Sequence, residues 1–203
     1  KMVGFDISVA NEIAKRLGVK LVVQEMSFDA LLGAVKTGKV DMVVAGMTAT
    51  PEREQEVAFS EPYFVDKNVV MTLKKNANKL ANLNDLKKAT LAAQISSIQE
   101  DAAKQVDAKK VVSLKKVNDA VTQLTQGKVD GVVVPDTTAD SYMDQSNQFA
   151  VAKATLPGET NGSSVVMAKN ATVLQSKVVN ILEKHVIGDP LEKWKNEAIA
   201  LMN

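Results

Sequence analysis

Cysteine is absent from the 203-residue chain, which excludes disulfides and thiolate chemistry together. Histidine occurs once, as His185 among Glu183, Lys184 and Asp189 near the C-terminus. One imidazole cannot build a multi-histidine metal site, and its isolation argues against serine–histidine hydrolysis, so a solvated surface residue is the role expected of it. Neither a metal nor a cofactor is expected. No apolar run approaches the roughly 20 residues of a membrane-spanning helix. An excess of either charge is lacking too: 25 basic and 24 acidic residues leave a formal net charge of +1, so nothing global draws the chain to nucleic acid or to an anionic membrane.

What is present is ordinary for a soluble globular protein, with 45% hydrophobic and 24% charged residues, and the length carries a full core as one domain or two small ones. Lys1 to Gly4 reads as the end of a hairpin with no signal peptide ahead of it, so processing or the choice of boundary removed what came before. Val9, Ala10, Ile13, Ala14 and Leu17 mark one face of a helix that stops at Gly18, and Leu21 to Met26 reads as a strand. Ser27 can cap a helix that carries Leu31, Leu32 and Val35 inward and ends at Gly38, and Val40 to Ala45 is a further strand. Helix, strand, helix, strand implies parallel pairing with helices as crossovers.

From Val57 to Leu73 the chain reads as extended, a crossing between lobes. Helix and strand then alternate: Leu83 to Lys88 helical, Thr90 to Ala93 a strand, Ile98 to Gln105 helical, Val111 to Leu114 a strand, a helix capped by Asn118 and ending at Gly127, and Val129 to Val134 a buried strand. Thr137 to Gln145 follows as a helix and Phe149 to Ala152 as extended chain. The turn-rich stretch Leu156 to Gly162 and extended Ser163 to Ala168 return the chain to the first lobe, which two helices close, Val173 to Lys184 and Pro190 to Met202, with Trp194 on the core. Residues 1–66 with 160–203 are thus expected as lobe 1, and 67–159 as lobe 2. An internal echo supports the division. Gly38-Lys39-Val40-Asp41 recurs 89 positions later as Gly127-Lys128-Val129-Asp130, each time between a helix and a buried strand, although the same link suits any α/β fold.

Three stretches carry candidate binding chemistry. In Val43 to Arg53 a β-branched strand ends at Gly46, Thr50 caps a helical turn with Pro51 first in it, and Arg53 projects from that turn. Free N–H groups, the Thr48 hydroxyl and a guanidinium suit a carboxylate, while a surface arginine and a turn threonine are the plain alternative. Ala92 to Glu100 runs a strand into Ser96 and Ser97 at a helix start, where Ser97 and Glu100 also fit a capping box. Asp136 lies just past a strand's carboxyl end, where open α/β sheets bind ligands, and could equally cap the next helix.

In order along the chain, Gly4-Phe5-Asp6-Ile7, Phe28-Asp29-Ala30-Leu31, Gly38-Lys39-Val40-Asp41, Gly46 to Arg53 and Phe59-Ser60-Glu61-Pro62-Tyr63-Phe64 resemble the polar amino-acid-binding family of ABC-transporter substrate-binding proteins. The resemblance covers nearly the whole chain. It implies an α/β fold of the periplasmic-binding-protein type II kind, with two similar lobes on mixed, mostly parallel sheets, joined by two hinge crossings and closing on one free amino acid. By family pattern Arg53 pairs with the ligand α-carboxylate, helped by Thr48 and Ser97, and Asp136 takes the α-ammonium with the carbonyl of Gly46. Phe28 covers the ligand side chain, and Gln94, beside Ser96, tunes side-chain preference. Gln94, Asp136 and Glu159 suit a polar or cationic side chain such as glutamine or arginine, and Glu159 is equally a hinge-loop residue.

The implied partners are the free amino acid and the membrane permease of an ABC importer, outside the cytoplasm, with a lipid anchor on the intact precursor left open. The implied protein performs no catalysis. A periplasmic enzyme of the same fold, like a cyclohexadienyl dehydratase, and a sensory ligand-binding module are the alternatives. An enzyme would need a general acid, for which no distinct candidate stands out, and the sequence shows no DNA-binding helix-turn-helix. Two departures from the family pattern stand out. The family begins with another strand and a loop bearing a pocket residue, and this chain starts after them, which implies an unpaired sheet edge. The family's glycine-rich loop in the second lobe reads here Ile95-Ser96-Ser97-Ile98, which alters the backbone donors expected there.

Overall fold

The computed structural model describes residues 4–157 and 161–200. Expectations for Lys1 to Val3, for Glu159 and for a final helix reaching Met202 fall outside that range. The described chain divides into two compact units, one made of the residues up to Met26, Ala30–Val65 and the residues from Gly162, the other of Ser27–Asp29 and Asp66–Asn161. Ser27, Phe28 and Asp29 therefore group with the second unit, although Met26 and Ala30 on either side of them belong to the first.

In the first unit, α1 (Phe5–Leu17) stops at Gly18, whose φ of 70° is the left-handed conformation a helix stop favours. A 3-10 turn (Phe28–Ala30) leads into α2 (Leu31–Lys36), so the expected Ser27 cap gives way to a start at Ala30. Strand β1 (Met42–Thr48) is followed by α3 (Pro51–Glu56) and by the short strands β2 (Ala58–Phe59) and β3 (Phe64–Asp66). The returning chain supplies β9 (Asn161–Met167), α8 (Thr172–His185) and α9 (Asp189–Ala200). Strand β9 is the hub of the sheet, pairing antiparallel with β1 and β2 and also pairing with β3. Val9 and Ile13 of α1, Val165 and Met167 of β9, and Val178 and Leu182 of α8 form the core, on which Trp194 packs.

The strand expected at Leu21 to Met26 does not form. That stretch pairs with no described strand, and Val22 and Val23 are 71% and 39% exposed. The expected parallel pairing of the first two strands falls with it, and β1 has a partner on one side alone among the described residues. An alternating apolar pattern makes a strand only where a neighbour takes its backbone groups.

In the second unit β4 (Asn68–Leu73) leads through a 3-10 turn (Lys74–Lys79) into α4 (Leu83–Lys87), β5 (Thr90–Gln94), α5 (Ile98–Gln105), β6 (Lys110–Leu114), α6 (Val117–Thr125), β7 (Gly131–Pro135), α7 (Asp136–Gln145) and β8 (Phe149–Val151). The five strands run in the order β6-β5-β7-β4-β8, with β6, β5 and β7 parallel and β4 antiparallel to both its neighbours. Side chains alternate across this sheet. Val70, Leu91, Ala93 and Val133 meet Ala102 and Ala103 of α5 in one core, while Met71, Ala92, Val132 and Val134 meet Ala120, Val121 and Leu124 of α6 in another. Both faces are buried, which is why these strands read as unbroken apolar runs. Asn118 lies inside the first turn of α6 rather than at its cap, and its side-chain oxygen accepts the Tyr142 hydroxyl instead.

The echo is repeated in the backbone. Gly38 and Gly127 have φ of 73° and 70°, and the following lysine amides donate to the carbonyls of Ala34 and Gln123, each at 2.9 Å. The same stop thus ends α2 and α6 and feeds β1 and β7. At the start of β7 close packing makes Gly131 obligatory, since a Cβ there would lie 2.5 Å from Cγ1 of fully buried Val70 and 3.2 Å from Leu91. Gly131→Ala is expected to destabilise the protein by about 1–3 kcal/mol, lowering the urea midpoint at an unchanged slope.

Candidate functional site

In the first unit the site-forming stretch is a bulge. Val43 pairs with Val166 and Met47 with Ser164, so Val44, Ala45 and Gly46 stand opposite Val165 alone. Gly46 is exposed with φ of 60°, a conformation that costs glycine little and other residues much. The chain then passes Thr48 to Thr50, whose side chain accepts the Arg53 amide at 3.3 Å as the helix cap, with Pro51 first in α3 as expected. Arg53 Nη1 donates to the Thr48 carbonyl at 2.7 Å, which fixes the half-buried guanidinium beside the end of β1. Gly46, Thr48 and Arg53 are therefore organised by one bulge, one cap and one side-chain bond.

In the second unit the candidates follow the carboxyl ends of two neighbouring parallel strands, the location at which sheets of this kind bind ligands. After β5, Gln94 Nε2 donates to the Lys115 carbonyl at 3.2 Å. Ser96 is exposed with φ of 62°, a left-handed conformation that glycine adopts without strain. Its amide donates to Glu100 Oε2 at 2.7 Å. Ser97 is 2% exposed, its hydroxyl donates to the Gln94 carbonyl at 2.6 Å and accepts the Glu100 amide at 3.2 Å, and its own amide donates to Gln94 at 3.3 Å. The Ser97 side chain is thus spent on capping α5. The expected capping box is altered, because the Glu100 carboxylate takes the amide of Ser96, not that of Ser97.

After β7, Pro135 is the cap of α7 and Asp136 the first helical residue. Asp136 Oδ1 accepts the Thr137 amide at 2.8 Å and the Lys67 amide at 3.4 Å, and the Asp136 amide donates to the Lys67 carbonyl at 2.8 Å. Its Oδ2 has no hydrogen-bond partner among the described residues. Phe28 begins the 3-10 turn and is half-buried. Among the described residues no group of three or more histidines or carboxylates comes together to hold a metal ion.

Two carboxylates behind these turns are not among the ligand-binding candidates expected from the sequence. Asp6, in the first turn of α1, accepts the Tyr63 hydroxyl at 2.7 Å. Burial raises its pKa, against which the bond from Tyr63 acts. Glu100 is 7% exposed. Burial pushes its pKa up, but the Ser113 hydroxyl, Lys104 at 3.0 Å and the Ser96 amide outweigh that and leave it lowered. Only the placement of Asp6 inside a quoted motif, and of Glu100 at a capping-box spacing, hinted at either.

A carboxyl whose folded pKa is lowered, as for Glu100, stabilises the fold above its unfolded pKa, near 4.5, and loses that contribution as pH falls through the folded value. Asp6, raised from 3.8, has the opposite sign: its contribution is full below 3.8 and is lost as pH rises. Thermal melts of the wild type and of Glu100→Gln between about pH 6 and 3 are therefore expected to converge on acidification, because only the wild type loses the stabilisation that ionised Glu100 supplies.

The sequence pattern of the bacterial extracellular solute-binding proteins, family 3, matches residues 1–193. A probable histidine-binding protein of Campylobacter jejuni is 35% identical over 187 residues, covering 92% of this chain and 71% of the relative. An arginine-binding extracellular protein of Bacillus subtilis is 31% identical over 202 residues, covering 97% of this chain and 77% of its own. A crystal structure of an amino-acid ABC transporter substrate-binding protein from Streptococcus pneumoniae bound to L-arginine superposes with a TM-score of 0.95 at 32% identity, covering 100% of this chain and 86% of that one.

Proposed function

Because the chain belongs to the bacterial extracellular solute-binding proteins, family 3, we propose that it captures one free polar or cationic L-amino acid, arginine first among them, outside the cytoplasm and delivers it unchanged to an ABC importer. The observation that carries this reading is the likeness, over the whole chain, to a protein holding L-arginine. The arginine-binding relative from Bacillus subtilis supports the same ligand class.

A zwitterion leaving water must find partners for both charges, since an unpaired desolvated charge is costly. Arg53, held on the Thr48 carbonyl, offers a planar fork for the α-carboxylate. Asp136, with one oxygen on the Lys67 and Thr137 amides, keeps the other for the α-ammonium. The Gly46 carbonyl adds an acceptor for the ammonium, Ser96 and Ser97 line the approach to the carboxylate, Phe28 covers the side chain, and Gln94 tunes its choice. Residues 1–66 with 160–203 act as one lobe and 67–159 as the other.

The test is a thermal-shift screen of the purified chain against the twenty L-amino acids and their D-enantiomers. Ligand at about a thousand times its dissociation constant stabilises the folded state by roughly 4 kcal/mol, enough to raise the midpoint by several degrees. A stereospecific shift by arginine or a few polar amino acids, with the ligand recovered intact by mass spectrometry, is expected. No shift from a cooperatively melting protein, or conversion of a prephenate-like acid, would overturn the proposal.

A further inference from the structure

We infer that Glu100 is a positioning residue for the amino-acid site, its buried carboxylate holding Ser96 in the left-handed turn from which Ser96 lines the approach to the ligand carboxylate. This rests on the functional reading above, which assigns that place to Ser96 and Ser97.

The inference starts from a conformation that serine does not favour unaided. Ser96 has φ of 62°, a region that a side chain with a Cβ disfavours by about tenfold in population. Among the described residues one other non-glycine residue has a positive φ, Asp107 at 56°. Asp107 follows the end of α5, where its amide donates to the Lys104 carbonyl at 3.0 Å, an ordinary helix stop. Ser96 lies between a strand and a helix start, where no stop is needed, so its conformation has another cause.

Glu100 supplies that cause. Its amide donates to the Ser97 hydroxyl at 3.2 Å and its Oε2 accepts the Ser96 amide at 2.7 Å, so one residue binds both residues of the turn. Its Oε1 is the anchor, accepting the hydroxyl of Ser113 on β6 and lying 3.0 Å from Lys104 Nζ one helical turn on. Ser113 stands opposite Ala93 in the parallel ladder, and the Ile95 amide donates to the Leu114 carbonyl at 2.9 Å. The strand end and the carboxylate are thus pinned to the same neighbouring strand, with the Ser96 amide gripped between them.

Capping alone does not need this arrangement. In a capping box the carboxylate takes the amide of the cap residue, here Ser97. Glu100 passes over that amide, which donates to the Gln94 carbonyl, and takes the amide of the exposed, left-handed residue before it. A carboxylate is costly to bury, and strain that surrounding contacts maintain in this way gathers at ligand-binding turns.

The test is a double-variant cycle of Ser96→Gly and Glu100→Ala with two readouts: L-arginine affinity by calorimetry well below each midpoint, and exchange of the Ser96 amide by NMR. With Ser96 present, Glu100→Ala is expected to weaken binding about tenfold and to speed Ser96 exchange about tenfold, because nothing then offsets the left-handed penalty. In the Ser96→Gly background the same substitution should weaken binding by less than about threefold, since glycine populates positive and negative φ about equally. Comparison within one background cancels the loss of the Ser96 hydroxyl. Glu100→Asp keeps the charge at the start of α5 but draws the carboxylate back by one methylene; it should weaken binding likewise, and it serves if Glu100→Ala does not fold. Equal losses in the two backgrounds, or a lowered midpoint with affinity and Ser96 exchange unchanged, would give Glu100 a role in stability alone and overturn the inference. If the wild type itself binds no amino acid, the functional reading fails, and Ser96 exchange still decides whether Glu100 holds the turn.

Discussion

Arg53→Ala is expected to weaken L-arginine binding by about two orders of magnitude or more, since removing one partner of a desolvated charge pair costs on the order of 2–5 kcal/mol. The loss has two parts. The ligand carboxylate forfeits a bidentate, charge-assisted partner, and it is left partly dehydrated with nothing of equal strength to replace it. The fold should survive, because Arg53 is half-buried on a six-residue helix whose cap uses the Arg53 backbone rather than its side chain. The Thr48 carbonyl loses the guanidinium bond, at a cost of about 1 kcal/mol.

Arg53→Lys separates charge from shape. It keeps the positive charge but not the planar fork, so it should fall between the wild type and alanine. Calorimetric titration with L-arginine, together with melting of the free proteins, checks both expectations. Near wild-type affinity in Arg53→Ala would remove Arg53 from the site.

Asp136→Asn has the second largest expected effect, about 30-fold or more against L-arginine, and its diagnostic value lies in selectivity. The substitution keeps an Oδ1 that can accept the Thr137 and Lys67 amides, so the start of α7 should be preserved while the negative charge is lost. A ligand without the α-ammonium does not need that charge. For 5-guanidinopentanoate, the deaminated counterpart of arginine, the same substitution should change affinity by less than about threefold, as for a group with no direct partner. Equal losses for the two ligands would mean that Asp136 acts through the fold and not through the ammonium.

Much of the local structure at the candidate site was legible because its parts lie close together in sequence. The stop at Gly46, the Thr50 cap with Pro51 behind it and the Arg53 projection all lie within eight residues, and each rests on short-range backbone chemistry. Asp136 after a buried strand was legible for the same reason, although Pro135 took the capping role. Ser97 shows the limit of such reading. Its capping role was visible in the spacing to Glu100, but only the fold shows that its hydroxyl is occupied on both sides, by Gln94 and by the Glu100 amide.

The sequence by itself determined the alternation of helices and strands, the glycine stops that link α2 to β1 and α6 to β7, the double burial of the β5 and β7 apolar runs, and the order of motifs that marks the family. These depend on periodicity, capping and turn preferences acting over a few residues. Tertiary structure alone decided the rest. Leu21 to Met26 has a strand's pattern yet no strand, because pairing needs a neighbour that pattern cannot supply. Asp6 meets Tyr63, 57 positions away in sequence, because the packing of α1 on the sheet brings them together. Such contacts form only after the chain has buried its apolar faces, so the sequence encodes them jointly across many residues and exposes them at none.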